Sequence, residues 1–312
     1  MDGMESGIHM GELPGPVLLS GASGMLGSAL RQALAGQGVA VRQLVRGAVQ
    51  GEGQIAWAPA AERAVAEPSA LEGCAAAIHL SGASVAGRRW TASYRREMAA
   101  SRVETTRALA ETLAGLGRRP EVLVVASAVG IYGSRGDEVL DESSQAGTGF
   151  LAELCRAWEA AAEPARRAGV RVVHARFGVV LGRGGALAKM LPVFKLGLGG
   201  PLGSGRQWMS WVSLDDAVAA LLFAARTSEL TGALNVTAPE PVTNAAFTRA
   251  LGWVLRRPAV LAAPAAALRL VFGEMAEEAL LASQRAVPRR LLDAGFRFGY
   301  PEIDGALRAA LA

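Results

Sequence analysis

The sequence predicts an α/β fold, a doubly wound parallel sheet with a smaller C-terminal substrate-side region, and three observations carry that expectation. Short β-branched runs alternate with amphipathic Ala/Leu/Arg stretches from Val17 to Phe177, the rhythm of repeated strand–helix–strand units. A glycine-rich segment, Gly21 to Gly27, stands between the first such run and the first helical stretch. Finally, 312 residues of 51% hydrophobic content and mean hydropathy +0.26 are ample for a buried core.

Strands are expected at Val17–Ser20, Val39–Val45, Gln54–Trp57, Ala76–Leu80, Val122–Ser127, Arg171–Phe177 and Leu234–Val236. Helices are expected over Gly27–Gln37, Ser93–Leu116, Gly149–Ala168 and Leu214–Arg226, where apolar residues recur at three- and four-residue spacing. After Gly178 the pattern changes to glycine-rich loops and proline-interrupted helices. This divides the chain into a core over residues 14–182, to which 208–238 return, and a C-terminal region of 183–207 and 239–312.

Gly21-Ala22-Ser23-Gly24-Met25-Leu26-Gly27 has the context that a dinucleotide requires: strand, tight turn, helix. Gly21 permits the turn, Gly24 lets backbone approach a pyrophosphate, and Gly27 allows close helix–strand packing, with the helix N-terminus aimed at the phosphates. Ser23, Met25 and Leu26 belong to the same candidate binding turn of a Rossmann-type sheet. The second strand ends in Arg46 with no acid beside it, which favours the 2′-phosphate of NADP(H) over the 2′-hydroxyl of NAD; a solvated surface Arg is the alternative. Small residues at Leu80-Ser81-Gly82 suit close approach to the cofactor, and Ser127 with Tyr132 would form the wall beside the nicotinamide. Tyr132 reads equally well as a core aromatic, and His79 as a packed strand-end residue.

Other classes are disfavoured. The net charge of +4 is spread over Arg pairs interleaved with acids, not gathered into a nucleic-acid footprint. Two cysteines, Cys74 and Cys155, make neither a disulfide framework nor a metal site, and no metal is expected. No run is long enough to cross a membrane, and Pro258–Phe272 is broken by Pro264 and Arg269. Residues before Leu13 read as a flexible leader without secretory character. The expectation is a cytoplasmic protein with a small-molecule substrate, no nucleic-acid or membrane partner, and a homodimer left open.

A family resemblance rests on specific motifs. They include Gly-Arg-Arg-Trp (87–90), Ser-Arg-Val-Glu-Thr-Thr (101–106), Ser-Ala-Val-Gly-Ile-Tyr-Gly (127–133), Phe-Leu-Ala-Glu-Leu-Cys (150–155), Arg-Phe-Gly-Val-Val-Leu-Gly (176–182) and Gln-Trp-Met-Ser-Trp (207–211). With these, the chain resembles atypical extended short-chain dehydrogenase/reductases, in the subgroup of NAD(P)-dependent epimerase-family proteins also labelled cell-division inhibitor-like. The resemblance runs from Val17 to the C-terminus, whose last segment, from Gly273, resembles the subgroup's own tail of unassigned role. It implies NADP(H) in the N-terminal part, Glu97 and Arg102 near the cofactor, and a substrate pocket at the sheet's C-terminal edge.

Ordinary members of the wider family use a Tyr and a Lys four residues apart for proton transfer. About twenty residues past Tyr132, this chain has Phe150-Leu151-Ala152-Glu153-Leu154-Cys155 instead. Remaining proton-handling candidates are Ser127, Tyr132, Glu153, Cys155 and Arg176, with Ser127 favoured as an orienting donor. Arg176, Lys195, Arg206 and Trp208 are the candidate substrate contacts. Two functions stay open: an NADP(H)-dependent oxidoreductase or epimerase on a small polar molecule, and a non-catalytic NADP(H)-binding regulatory or redox-sensing module acting through a protein partner.

Overall fold

The β-branched runs assemble into one seven-stranded sheet in a computed structural model that describes residues 13–312. The leader read before Leu13 lies outside the described residues. The strands are β1 (Val17–Ser20), β2 (Val41–Val45), β3 (Gln54–Ala56), β4 (Ala76–His79), β5 (Val122–Ala128), β6 (Arg171–Phe177) and β7 (Gly232–Val236). Their order is β7-β6-β5-β4-β1-β2-β3, and every neighbouring pair is parallel. All seven expected strands are present, within two residues at each end. The order reverses between β1 and β4, so their C-terminal ends open a crevice, the usual ligand position in such a sheet.

Alternation along the strands explains the two covered faces. Val17 and Leu19 join Leu30 and Leu34 of helix Met25–Gly36 and Leu221 and Phe223 of helix Leu214–Arg226. Leu18, Leu123 and Val125 point the other way, against Leu109 and Leu113 of helix Thr105–Ala114 and Trp158 of helix Phe150–Ala160. A further apolar cluster unites helices Gly185–Lys195, Asn244–Leu255 and Ile303–Leu311 through Phe194, Trp211, Phe247, Leu251 and Leu307. Asp216 ties this part to the sheet. Its carboxylate accepts from the Ser213 hydroxyl at 2.8 Å, and from the Gly299 and Tyr300 amides at 2.7 and 3.0 Å. It is thus a helix-start acid.

Two expected helices are interrupted. The segment expected over Gly149–Ala168 splits into Phe150–Ala160 and Glu163–Arg167, because Pro164 has no N–H to continue the first helix and opens the second. The segment over Ser93–Leu116 carries a π turn at Ala100–Glu104 between helices Ala92–Ala99 and Thr105–Ala114. Arg102 lies inside that turn with its side chain buried.

Two glycines set the geometry at the crevice. Gly21 has φ +73°, and a Cβ there would lie 2.8 Å from the Leu80 carbonyl carbon. A Cβ on Gly27 would penetrate the Gly21 carbonyl oxygen, whereas one on Gly24 would meet only that oxygen, at 3.5 Å. We therefore expect Gly27→Ala to lower unfolding free energy by about 2–3 kcal/mol, and Gly24→Ala by less than about 1 kcal/mol. Urea titration checks both; equal losses would show that the backbones can separate.

Candidate functional site

Ser20 ends β1 and the chain turns at Gly21, with the Gly24 amide donating to the Gly21 carbonyl at 3.1 Å. Helix Met25–Gly36 follows without a side-chain cap and without an acid in its first turn. Its first amides are thereby left to whatever approaches Ser23 and Gly24, both exposed. Met25 is partly buried beside Gly182 and Gly184, which places the turn next to the loop that follows β6, and Leu26 packs onto the sheet core.

A cavity of about 350 Å³ lies beside this turn, at the C-terminal ends of β2, β3 and β4. It brings together four residues expected at the cofactor, Arg46, Ser81, Gly82 and Glu97, and adds Trp57, Arg88, Tyr94, Ser101 and Thr105. Arg46 is exposed at its rim, and Glu97 pairs with Arg88 at 3.7 Å across exposed side chains. Trp57 is only 3% exposed, and its indole Nε1 is buried without a hydrogen-bond partner. A buried unpaired donor lining a cavity is costly unless a ligand completes it.

Behind the cavity lies a chain of polar contacts. His79, fully buried, has Nδ1 at 2.6 Å from the Ser20 hydroxyl and Nε2 at 3.3 Å from the Thr105 hydroxyl. Burial lowers its pKa to about 4, so the ring is neutral. Arg102 donates to the Ala83 carbonyl at 2.8 Å and the Met98 carbonyl at 3.2 Å, and stacks over Trp158. Burial holds its pKa below the ordinary guanidinium value, and among the described residues no carboxylate pairs with it. Its Nη2 also lies close to Gly82, so a side chain there would displace it.

At the end of β5 three of the candidate proton-handling residues, Ser127, Tyr132 and Arg176, form one buried network. Arg176 donates Nε and Nη2 to Glu159 at 2.8 and 2.9 Å and Nη1 to the Tyr132 hydroxyl at 3.1 Å. Ser127 donates to Glu159 at 2.8 Å, and Tyr132, with no exposed surface, donates to Asn235 Oδ1 at 2.7 Å. Burial works to lower the Arg176 pKa, but the bonds to Glu159 and Tyr132 raise it overall. Burial also raises the Tyr132 pKa, and it pushes the Cys155 thiol up to about 11, with Glu159 adding to the effect. Cys155 is an inert packed thiol. Glu153 is exposed, which corrects its candidacy as a desolvated acid.

Phe150 and Leu154 of the same helix pack with Trp90, Tyr94, Met98 and Met275. Glu278, from the C-terminal segment, accepts from the Phe150 and Leu151 amides at 2.9 and 2.7 Å and so caps that helix. The structure does not gather the four candidate substrate contacts. Arg176 belongs to the network, and its guanidinium is satisfied there. Lys195 and Arg206 are exposed, while Trp208 donates to Asp137 at 2.8 Å under the guanidinium of Arg285. Sequence reasoning missed Trp57, Arg88, Glu159, Asn235 and Glu278; only Arg88 carried a signal, as part of the Gly-Arg-Arg-Trp motif.

A parallel sheet of this order, with a glycine turn and cavity at its switch point, defines a Rossmann-type dinucleotide-binding protein. The chain belongs to the NAD dependent epimerase/dehydratase family, whose profile matches residues 17–237. A domain of unknown function, DUF1731, matches residues 263–310. An epimerase family protein of Mycobacterium tuberculosis is 46% identical over 292 residues, covering 93% of this chain and 96% of the relative. The crystal structure of the human epimerase family protein SDR39U1 (isoform2) with NADPH superposes with a TM-score of 0.85 at 35% identity, covering 95% of this chain and 98% of that one. A nucleoside-diphosphate sugar epimerase from Corynebacterium glutamicum gives 0.77 at 36% identity, over 96% of this chain and 58% of that one.

Two outcomes follow from the buried groups. The His79 pKa is depressed on folding, so its contribution is complete above the unfolded value of 6.5 and is lost as pH falls toward about 4. We expect stability to drop by up to about 3 kcal/mol across that window on account of His79, and the slope to shrink in His79→Gln, with His174, whose pKa burial also lowers, carrying a remainder. Urea melts at a series of pH values measure it; an unchanged slope in the variant would assign the loss elsewhere. The Arg176 and Glu159 side chains are 10% and 14% exposed. Glu159→Leu should therefore cost about 3–5 kcal/mol, most of it recovered when Arg176→Met is added. A double-mutant cycle tests the pair, and additive losses would refute the coupling.

Proposed function

We propose that the chain binds NADP(H) across the crevice between β1 and β4 and acts as an oxidoreductase or epimerase on a small polar substrate. The observation that carries this reading is Arg46, exposed at the end of β2 on the rim of the cavity that also holds Ser81 and Gly82. The one carboxylate in that cavity, Glu97, already faces Arg88. A 2′-phosphate would find two guanidiniums there, and the orphaned Trp57 Nε1 would gain an acceptor. Gly21, Ser23, Gly24, Met25, Leu26 and Gly27 would carry the pyrophosphate on the acid-free helix start. Leu80, Ser81 and Gly82 would lie along the ribose, with Arg102 behind them. The human relative's structure with NADPH supports the same preference.

The bound cofactor would supply or accept hydride. Ser127 and Tyr132 would hold the wall beside it through Glu159, Arg176 and Asn235, while Arg206 and Trp208 would lie toward the substrate side. In this reading residues 14–182 and 208–238 form the cofactor-binding core, and 183–207 with 239–312 the substrate side. Leu291 and Phe296 of the latter pack back onto the core.

A second reading, a non-catalytic NADP(H)-responsive module acting through a protein partner, has its own support. The chain's two lysines are Lys189 and Lys195, so helix Phe150–Ala160 carries none, and Phe150 and Leu154 fill an apolar cluster where a Tyr–Lys pair would act. NADPH oxidation dependent on an added substrate favours the first reading. Affinity for a partner that changes with the NADPH/NADP ratio favours the second.

Fluorescence titration tests the cofactor. NADPH should bind about 10- to 100-fold more tightly than NADH, and Arg46→Asp should erase the difference. Trp57→Phe, which removes a donor from the 2′-phosphate, should weaken NADPH more than NADH. Failure of both cofactors to bind would remove the proposal.

A further inference from the structure

Charge is distributed unevenly along this chain in a way the overall +4 conceals. Residues 183–213 and 241–273 together contain eight Lys and Arg and no Asp or Glu, so the rest of the chain carries a net −4. Both lysines of the protein lie in these two segments. The same segments, about a fifth of the chain, hold eight of the eleven strongly exposed large apolar side chains among the described residues. Trp253, Val260, Leu196 and Leu270 are each more than 70% exposed.

The two segments are packed against each other. The Arg257 guanidinium donates to the Lys195 carbonyl at 3.0 Å, the Leu261 amide to the Gly199 carbonyl at 3.1 Å, and Gly197 lies against Pro258. Leu196 and Leu198 therefore stand beside Val260 and Leu261. Trp253 stands over an open depression of about 680 Å³ lined by Arg249, Arg256, Arg257 and Ala259. Lys195, Arg249, Arg256 and Arg257 make no ion pair among the described residues. The cavity that contains Arg46 shares none of these residues.

We infer that this face is a docking surface for an anionic lipid bilayer, which the protein touches without spanning. Exposed Leu, Val and Trp side chains clustered beyond what a soluble surface carries mark an interaction site. Arg269 in the second segment is paired with Glu277, but the four unpaired cations Lys195, Arg249, Arg256 and Arg257 fit a negatively charged plane, and Lys and Arg can lay their stems along apolar surface while their heads meet phosphate. Trp253 suits the headgroup level, where one end of its ring is apolar and the other wet. A second copy of the chain meeting this face by two-fold symmetry would set the four cations against their own images. Among the described residues no helix is long and apolar enough to cross a membrane, and a surface-lying contact needs none.

Co-sedimentation of the full chain with vesicles tests the inference. One set is phosphatidylcholine alone and the other includes one-third phosphatidylglycerol. We expect binding to the anionic set only, and its loss as NaCl rises from about 0.1 M to about 1 M, where the screening length falls from about 10 Å to about 3 Å. Lys195→Gln and Arg249→Gln should each weaken binding about fivefold. Leu196→Ser with Leu198→Ser should weaken it about tenfold or more, while Val49→Ser, exposed outside this face, should leave it unchanged. No binding, equal binding to both sets, or anionic binding indifferent to the four face substitutions in folded protein would overturn the inference. Self-association abolished by Trp253→Ser, without vesicle binding, would overturn it too and give the face to a second copy.

Discussion

The cofactor side of the molecule depends on the approach of backbone to backbone at the end of β1. Gly27 lets helix Met25–Gly36 start directly against the Gly21 carbonyl, and Gly21 lets the turn lie on Leu80 as β4 leaves the sheet. Those two contacts fix where the first helical amides point. They also fix the distance between the β1 turn and the strand ends that build the cavity around Arg46 and Trp57. A methyl group at either position would push the helix or β4 away, and the crevice would lose its shape before any ligand contact changed.

Polar groups behind that crevice are held in fixed geometry by a protein that gives them few alternatives. His79 is neutral because burial makes charge expensive, and the Ser20 and Thr105 hydroxyls satisfy both ring nitrogens. Glu159 serves two partners at once, Arg176 and Ser127, and Arg176 passes the connection to Tyr132 and Asn235. Strands β5, β6 and β7 are thus joined through side chains as well as through their ladders. Such a network is rigid when complete and unfavourable when one member is missing, which is why it behaves as one unit.

Much of this was legible in the chain, and the reasons differ by element. Strands buried on both faces announce themselves as continuous apolar runs, as in Val17–Leu19 and Val122–Ala126, and the bounds of Val17–Ser20 were matched to the residue. The glycine spacing told of the β1 turn because only glycine tolerates that approach. Pro164 was visible but its break was not, since the apolar spacing continues through it. Glu159, Asn235 and Glu278 were invisible for a different reason. Their partners lie 17 to 128 residues away, and nothing local distinguishes a helical Glu that meets a buried Arg from one that meets water. The acid-free segments could be counted in the sequence, but only the fold shows that their apolar residues are left facing outward.

The cap that Glu278 places on helix Phe150–Ala160 comes from 128 residues further along the chain. A ribosome adding about 5–20 residues each second needs roughly 6–25 s to cover that interval. Throughout that time the helix has emerged with its first amides bare, and the Phe150 cluster lacks Met275. The helical layer on this face of the sheet is therefore finished from its far end: translation delivers the strands early and the residues that lock this helix late. For some seconds the nascent chain presents a half-sealed apolar patch to the chaperones and proteases around it.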